Sequence, residues 1–412
     1  MKRSLLTQIK NEWRDNIWMT VELAVVVIAI WLIMTFLYLL TAGLFTERGF
    51  DPEDVYVLQA RNVSKSSPEY VETGDSTWAS LFDDRAALLQ RLREHKDVES
   101  VALSGGAIPY NYNYNGNMIS VPNEPDSIFY SGNFRYGSPD IVKALGLRSL
   151  TGTSPDKLVE MLERGEILIS DNDAYVRQGR DPFALKGKMV IFGQDSSKTY
   201  RVGDIIANIR RNDYEEARAG TVLVPIDEKN KWAYELAIKV KPGHGDSFKE
   251  AFKNDKSLQR QRNMYFTDLK SLMDKREGNQ RSLDTKVRMF AVVMGFLLLT
   301  IFLGLLGTFW FRMQQRVSEI AIRKVCGATK VQIFMRIFGE GMILLGFAVI
   351  IASAIVWPFS HYAIDQAGIE WYEILIFELV AIGLVALGIL LSVIYPARKA
   401  MNIEPAIAIK DE

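Results

Sequence analysis

One cysteine, Cys326, occurs in 412 residues, so no intramolecular disulfide can staple any part of the fold, which must stand on packing alone. Histidine is nearly as scarce. His95, His244 and His361 are scattered, no H-E-x-x-H occurs, and no second thiol completes a zinc-site spacing. Charge of one sign is not in excess either: 49 Lys+Arg balance 49 Asp+Glu, and without a basic field there is no footprint for nucleic acid. The phosphate cradle G-x-x-x-x-G-K-[ST] is missing. The nearest candidate, Gly187-Lys188, is followed by Met189 and lacks both the upstream glycine and the magnesium-binding hydroxyl. No G-x-S-x-G nucleophile elbow is present. These absences argue against an enzyme, a metal centre or a cofactor bound by this chain itself.

Present instead are four long apolar runs hidden inside an average hydrophobic content of 48%. A bilayer core about 30 Å thick takes roughly 20 apolar residues as a helix, because only internally bonded backbone is tolerated in lipid. Four transmembrane helices are expected at 17–46, 287–311, 337–360 and 374–396. The first exceeds the roughly 7 to 15 residues of a signal-peptide core and is read as a retained anchor. Glu22 and Glu378 each lie about one turn inside a span end, within reach of water or headgroups, which favours a structural role over proton coupling.

Basic residues accumulate in short cytoplasmic loops. Lys2, Arg3, Lys10 and Arg14 precede the first span, and Arg312, Arg316, Arg323, Lys324, Lys330 and Arg336 crowd residues 312–336. Asp365, Glu370 and Glu373 sit in the short outer loop 361–373, and Arg398, Lys399 and Lys410 in the tail 397–412. Both termini are therefore expected in the cytoplasm and residues 47–286 outside it. Leu5, Ile9 and Trp13 make one apolar stripe, so residues 1–16 read as an amphipathic elbow helix on the membrane surface.

Residues 47–286 read as an α+β domain inserted between the first and second spans. A helix at 84–96 leads to a strand at 98–103; Ser138-Pro139 and Ser154-Pro155 look like helix starts, and Gly146 and Gly165 like helix stops. Strand character marks 167–170, 188–192, 200–209, 221–225 and 234–240, with helices expected at 245–253 and 263–275. The stretch 109–133, rich in Tyr, Asn, Gly and Pro, reads as an irregular excursion packed by its own tyrosines.

The cytoplasmic loop has its own internal logic. Glu319 and Arg323 pair at i, i+4, Gly327 breaks the helix, and Thr329 with Gln332 has the spacing of a capping box that starts the next one. A helical hairpin is predicted over 312–336. Its residues Arg316, Glu319, Ile320, Arg323, Gly327, Ala328 and Thr329, with Lys324 between them, resemble the R-x-x-E-I-x-x-R-x-x-G-A-[ST] signature of FtsX/MacB-type ABC permeases of the type VII ABC superfamily. Pro396, Ala397, Arg398 and Lys399, followed by Glu404 and Pro405, resemble that family's closing segment. Looser likeness extends through the domain at 92–103, 138–152 and 167–206. Cys326, where a small residue is expected, and Gly203-Asp204, where glycine-valine is expected, depart from the pattern.

The resemblance implies a MacB-like periplasmic core domain on an FtsX-like membrane domain in the bacterial inner membrane. It implies a permease subunit that binds no ATP itself and works with a separate cytoplasmic ABC ATPase and a second permease copy or sister permease. A periplasmic or outer-membrane partner is also implied. ATP-driven motion would reach the outer domain for export or extraction of a drug, peptide or lipoprotein; an FtsX-like regulatory scaffold acting without transport is the alternative. The named hairpin and tail residues would carry coupling to the ATPase.

Overall fold

The computed structural model describes residues 13–73, 77–111, 115–122, 129–172, 175–176, 178–192, 195–214, 220–315, 317–367 and 369–402. Two units divide the chain: Met1–Thr41 with Lys286–Glu412, and Ala42–Thr285. Helix α1 (Trp13–Thr41) ends in a 3-10 turn at Ala42–Phe45. Most of the predicted elbow, residues 1–12, lies outside the described residues, whereas 13–16 belong to α1, there being no glycine or proline to separate them from the span.

The second unit contains β1 (Val55–Asn62), α2 (Thr77–Arg93), β2 (Val98–Gly105), β3 (Gly116–Ser120), β4 (Tyr130–Gly137), α3 (Ile141–Ala144) and α4 (Pro155–Glu163). It continues with β5 (Ile167–Ser170), β6 (Met189–Phe192), β7 (Asp195–Ile206), β8 (Gly220–Pro225), β9 (Glu235–Val240), α5 (Gly245–Asn254), α6 (Lys256–Gln259), β10 (Arg260–Gln261) and β11 (Met264–Ser271). These strands form one 11-stranded sheet in the order β10-β11-β1-β9-β2-β4-β3-β6-β7-β5-β8. A parallel pairing of β4 with β8, from Gly132↔Gly220 to Gly137↔Pro225, closes the far part on itself. The run β4-β3-β6-β7-β5-β8 is thus a closed ring, and β2-β9-β1-β11-β10 an antiparallel wing.

Side-chain alternation along the wing divides its two cores, as the pleat requires. Tyr56 and Leu58 of β1, Val101 and Leu103 of β2, and Leu236 and Ile238 of β9 pack with Leu88 and Leu92 of α2 and Phe248 of α5. Val57, Ala102 and Ala237 face the other way, toward Ile141 of α3 and Leu158 of α4. The ring encloses a core of its own, including Ile119, Phe134, Ile169, Val190, Val202 and Val222. Each such Val, Leu, Ile or Phe side chain contributes about 1.5–3 kcal/mol on burial.

Three sequence expectations change here. Residues 264–271 are the strand β11, paired with β1 from Asn62↔Met264 to Tyr56↔Ser271, not part of a helix at 263–275. Met264 and Phe266 are buried at a period of two, and the helix begins only at Leu272. Within 109–133, β3 and the start of β4 form a ladder from Gly116↔Asn133 to Ile119↔Tyr130, while 112–114 and 123–128 lie outside the described residues. Helix α3 starts after Asp140, not at Ser138, whose hydroxyl instead accepts from the Leu103 N–H at 2.9 Å and ties α3 to β2. Ser154 does precede the first-position proline of α4, and Gly146 and Gly165 follow α3 and α4 at φ +59° and +79°. Strand β1 had no counterpart in the sequence reading.

The chain then enters α7 (Leu272–Gln315), α8 (Val317–Val325), α9 (Lys330–Ala367) and α10 (Trp371–Asn402). Segments Asn16–Phe45, Leu272–Arg312, Val331–Ser360 and Trp371–Ile394 are long and apolar enough to cross a membrane. Helices α1, α9 and α10 form the bundle core through Leu23, Val27, Ala348, Ala352 and a four-residue-spaced stripe on α10, Ala381, Val385, Ile389 and Val393. Gly341 brings α9 close to α10, since a Cβ there would stand 2.8 Å from Ile389 Cγ2. Helix extends past the expected span ends: α9 to Ala367 and α10 from Trp371 occupy most of the expected loop 361–373, α10 runs past 396 to Asn402, and α7 begins well before 287.

Candidate coupling hairpin and domain clasp

The turn between α8 and α9 is closed from both sides. Gly327 has φ +88°, its N–H donates to Lys324 O at 3.0 Å, and the Ala328 N–H donates to Arg323 O at 3.0 Å. This 6→1 and 5→2 pair is a Schellman motif, and the left-handed residue at its centre favours glycine. On the other side the Gln332 N–H donates to Thr329 Oγ1 at 3.3 Å while the Thr329 N–H donates to Gln332 Oε1 at 3.0 Å, a reciprocal capping box. Glu319 accepts from Arg323 Nε at 3.0 Å and from its terminal nitrogen at 2.5 Å.

One face of the hairpin is anchored. Ile320 and Ile333 are buried in the bundle core, and Ala328 packs against it. The opposite face is apolar and uncovered: Ile322, Val325, Val331 and Met335 are each more than half exposed, and Cys326 is exposed. Of the remaining sequence-predicted residues, Arg316, Glu404 and Pro405 lie outside the described residues, and Pro396, Ala397, Arg398 and Lys399 fall on the last turns of α10.

Near the hairpin, Arg312 of α7 pairs with Glu340 of α9 at 3.1 Å, both largely buried, and also donates to Asn16 of α1. Thr308 donates to Glu22 at 2.8 Å, Ser353 to the buried Glu378, and Tyr38 to Glu373. Each carboxylate meets a partner on a different helix. Sequence reading had flagged Glu22 and Glu378 but not the Arg312–Glu340 pair, whose partners are far apart in sequence.

A second polar centre lies wholly within the Ala42–Thr285 unit and has no local sequence signature. Asp213, 4% exposed, is met by Arg48 Nε at 3.3 Å, by Arg276 at 2.5 and 2.7 Å, and by the Tyr110 hydroxyl at 2.8 Å. Next to it Arg210 donates to Thr46 O at 2.6 Å and Asp213 O at 2.7 Å, and the Tyr214 hydroxyl donates to Asp284 at 2.5 Å. Residues 210–214 therefore clasp both connectors of the unit, the stretch after α1 and the first turns of α7. Burial works to raise the Asp213 carboxyl, but hydrogen bonds and the Arg276 charge hold it below the usual carboxylate range. Burial, then Asp213 itself, pushes the Tyr110 hydroxyl far up, so it remains a donor. Among the described residues no group of His, Cys, Asp and Glu could hold a metal ion.

No curated protein sequence matches the chain. Among solved structures it is similar to the extracellular domain of the noncanonic ABC-type transporter YknZ from Gram-positive bacteria, with 10% identity, a TM-score of 0.30, and coverage of 52% of this chain and 100% of that one. The segment holding the hairpin, most of α7 and both helices that follow it gives the more specific likeness: residues 291–405 match the model of the FtsX-like permease C-terminal family.

Proposed function

We propose that the chain is the permease subunit of an ABC transporter and that the α8–α9 hairpin is where a separate cytoplasmic ATPase docks. The observation that carries this reading is the hairpin's construction inside the family-matched segment: a turn locked by a Schellman motif and a capping box, one face buried, the other apolar and uncovered. A rigid projection with an apolar face suits a partner that pushes, because a compliant loop would absorb the motion. In this reading the basic loops lie in the cytoplasm with both termini, residues 47–286 are extracytoplasmic, and the ATPase alone binds ATP. The single helix α7, which starts at β11 and ends at the hairpin, carries the movement between the two ends of the chain. The clasp around Asp213 keeps the connectors from yielding separately. Cargo would be an exported or extracted drug, peptide or lipoprotein.

A second permease copy or sister permease fits the state of α7, where only 6% of the apolar window is buried, against 39% in α1 and α10. Val292, Phe296, Leu299 and Leu303 are exposed along it, and no atom crowds Gly295, Gly304 or Gly307. Affinity purification in mild detergent tests both partners. The expected result is co-purification of one ABC ATPase whose turnover the permease stimulates, with docking lost in Val331→Glu or Glu319→Arg. Full binding and stimulation by both variants would remove the docking assignment. Disulfide capture through Leu299→Cys in a Cys326→Ser background checks the pairing of copies.

A further inference from the structure

Where ring and wing separate, β2 and β4 stay paired only at Ser104↔Gly137 and Gly105↔Tyr136, because β4 is taken up by β3 on one edge and β8 on the other. A cavity of about 500 Å³ opens in this fork, inside the ~300–1,000 Å³ typical of small-ligand sites. The backbone there has no room to spare: a Cβ on Gly105 would lie 2.9 Å from Trp232 O, and Gly106 has φ +91°.

The lining is aromatic and amide in character, with Tyr136, Trp232 and Tyr234 alongside Asn115, Asn133 and Asn230, and among the described residues it contains no Asp, Glu, Lys or Arg. The two best-defined amides are oriented by the fold. Asn133, 5% exposed, accepts from the Asn115 N–H at 3.1 Å, and Asn230 accepts from the Trp232 N–H at 2.8 Å. With each carbonyl oxygen engaged by backbone, each amide nitrogen is left to donate to a visitor. Trp232 meanwhile leaves 77% of its surface uncovered at the mouth of the cavity it lines.

We propose that this fork cavity binds a neutral carbohydrate, the Trp232 and Tyr234 rings packing on the C–H face of a pyranose and the Asn133 and Asn230 amides donating to its oxygens. A nucleotide or other anion would find no cation in the lining. An extended peptide needs open strand edges, and β4 is paired on both sides. The assignment concerns this unit alone and stands apart from ATPase docking.

The test is isothermal titration of the full chain in a non-glycosidic detergent with neutral β-glucan, α-glucan, mannan and chitin oligosaccharides. One of these should bind with 1:1 stoichiometry. Trp232→Ala, at an exposed position, should weaken it by about tenfold or more, and Trp232→Tyr should retain most of the affinity. Asn133→Asp keeps the acceptor for Asn115 but loses the donor, and should weaken binding by about tenfold. Absence of binding at millimolar sugar overturns the proposal, as does sugar affinity indifferent to Trp232→Ala. A random peptide library bound in a Trp232-dependent way, with no sugar bound, would replace carbohydrate by peptide.

Discussion

The two units bury charge by different rules. In the membrane unit three helical carboxylates meet a side chain on another helix, Thr308 for Glu22, Arg312 for Glu340 and Ser353 for Glu378. In the Ala42–Thr285 unit a buried carboxylate gathers several partners at once. Asp213 holds Arg48, Arg276 and Tyr110, and Asp204 holds Lys186 at 2.6 Å together with Ser149 and Thr151. The difference follows from what surrounds the groups. A helix in lipid satisfies its own backbone, so side-chain polarity has only to link helices, whereas the sheet unit has connectors and loops whose ends need anchoring.

The comparison can be broken at its strongest point first. Arg312→Ala removes the guanidinium paired with the buried Glu340 and should destabilise the bundle by about 3 kcal/mol, while Arg312→Met with Glu340→Met should recover most of that. Thermal unfolding in detergent reads both, and a double variant as poor as the single one would end the view of the pair as a simple link. Asp213→Ala should cost about 2–3 kcal/mol, because Arg48 and Arg276 remain partly solvated, and no one compensating change should rescue it. Hydrogen exchange should then speed up at 43–48 and at the start of α7 together; acceleration at only one connector would dissolve the clasp.

A smaller effect is expected from acid. Burial would raise the Asp204 carboxyl, but Lys186 and the hydroxyls of Thr151, Thr153 and Ser149 hold it at about 2, against an ordinary 3.8. A folded value below the unfolded one means stabilisation that is fully present above pH about 4 and disappears as pH falls toward 2, worth about 2 kcal/mol. Asp204→Asn should flatten that part of the stability profile. Smallest is the hairpin cap, where Thr329→Ala should cost about 1 kcal/mol of local helix stability, read as faster exchange of the first amides of α9.

What could be read ahead of the structure was whatever is encoded over a few neighbouring residues. Thr329 with Gln332, Gly327, Gly146 and Gly165 act within one turn of themselves, and an apolar run spells out its helix directly. Strand β11 was lost because Tyr265, Leu269 and Leu272 stand at the i, i+4, i+7 spacing of a helix while Met264 and Phe266 alternate, and only the β1 partner decides between them. The ring closure, the Asp213 clasp, the Arg312–Glu340 pair and the fork cavity each join residues dozens to hundreds of positions apart. No local pattern announces such meetings.

The register of β1 against β11 sets a timetable for biogenesis. Asn62 faces Met264 and Tyr56 faces Ser271, so the wing lacks an internal partner strand until the last residues before α7 have been made and delivered. Until then β1 keeps one open edge, and sequence-distant pairings of this kind close slowly. The unit cannot finish folding as it emerges, and an aggregation-prone edge waits for the chain to catch up.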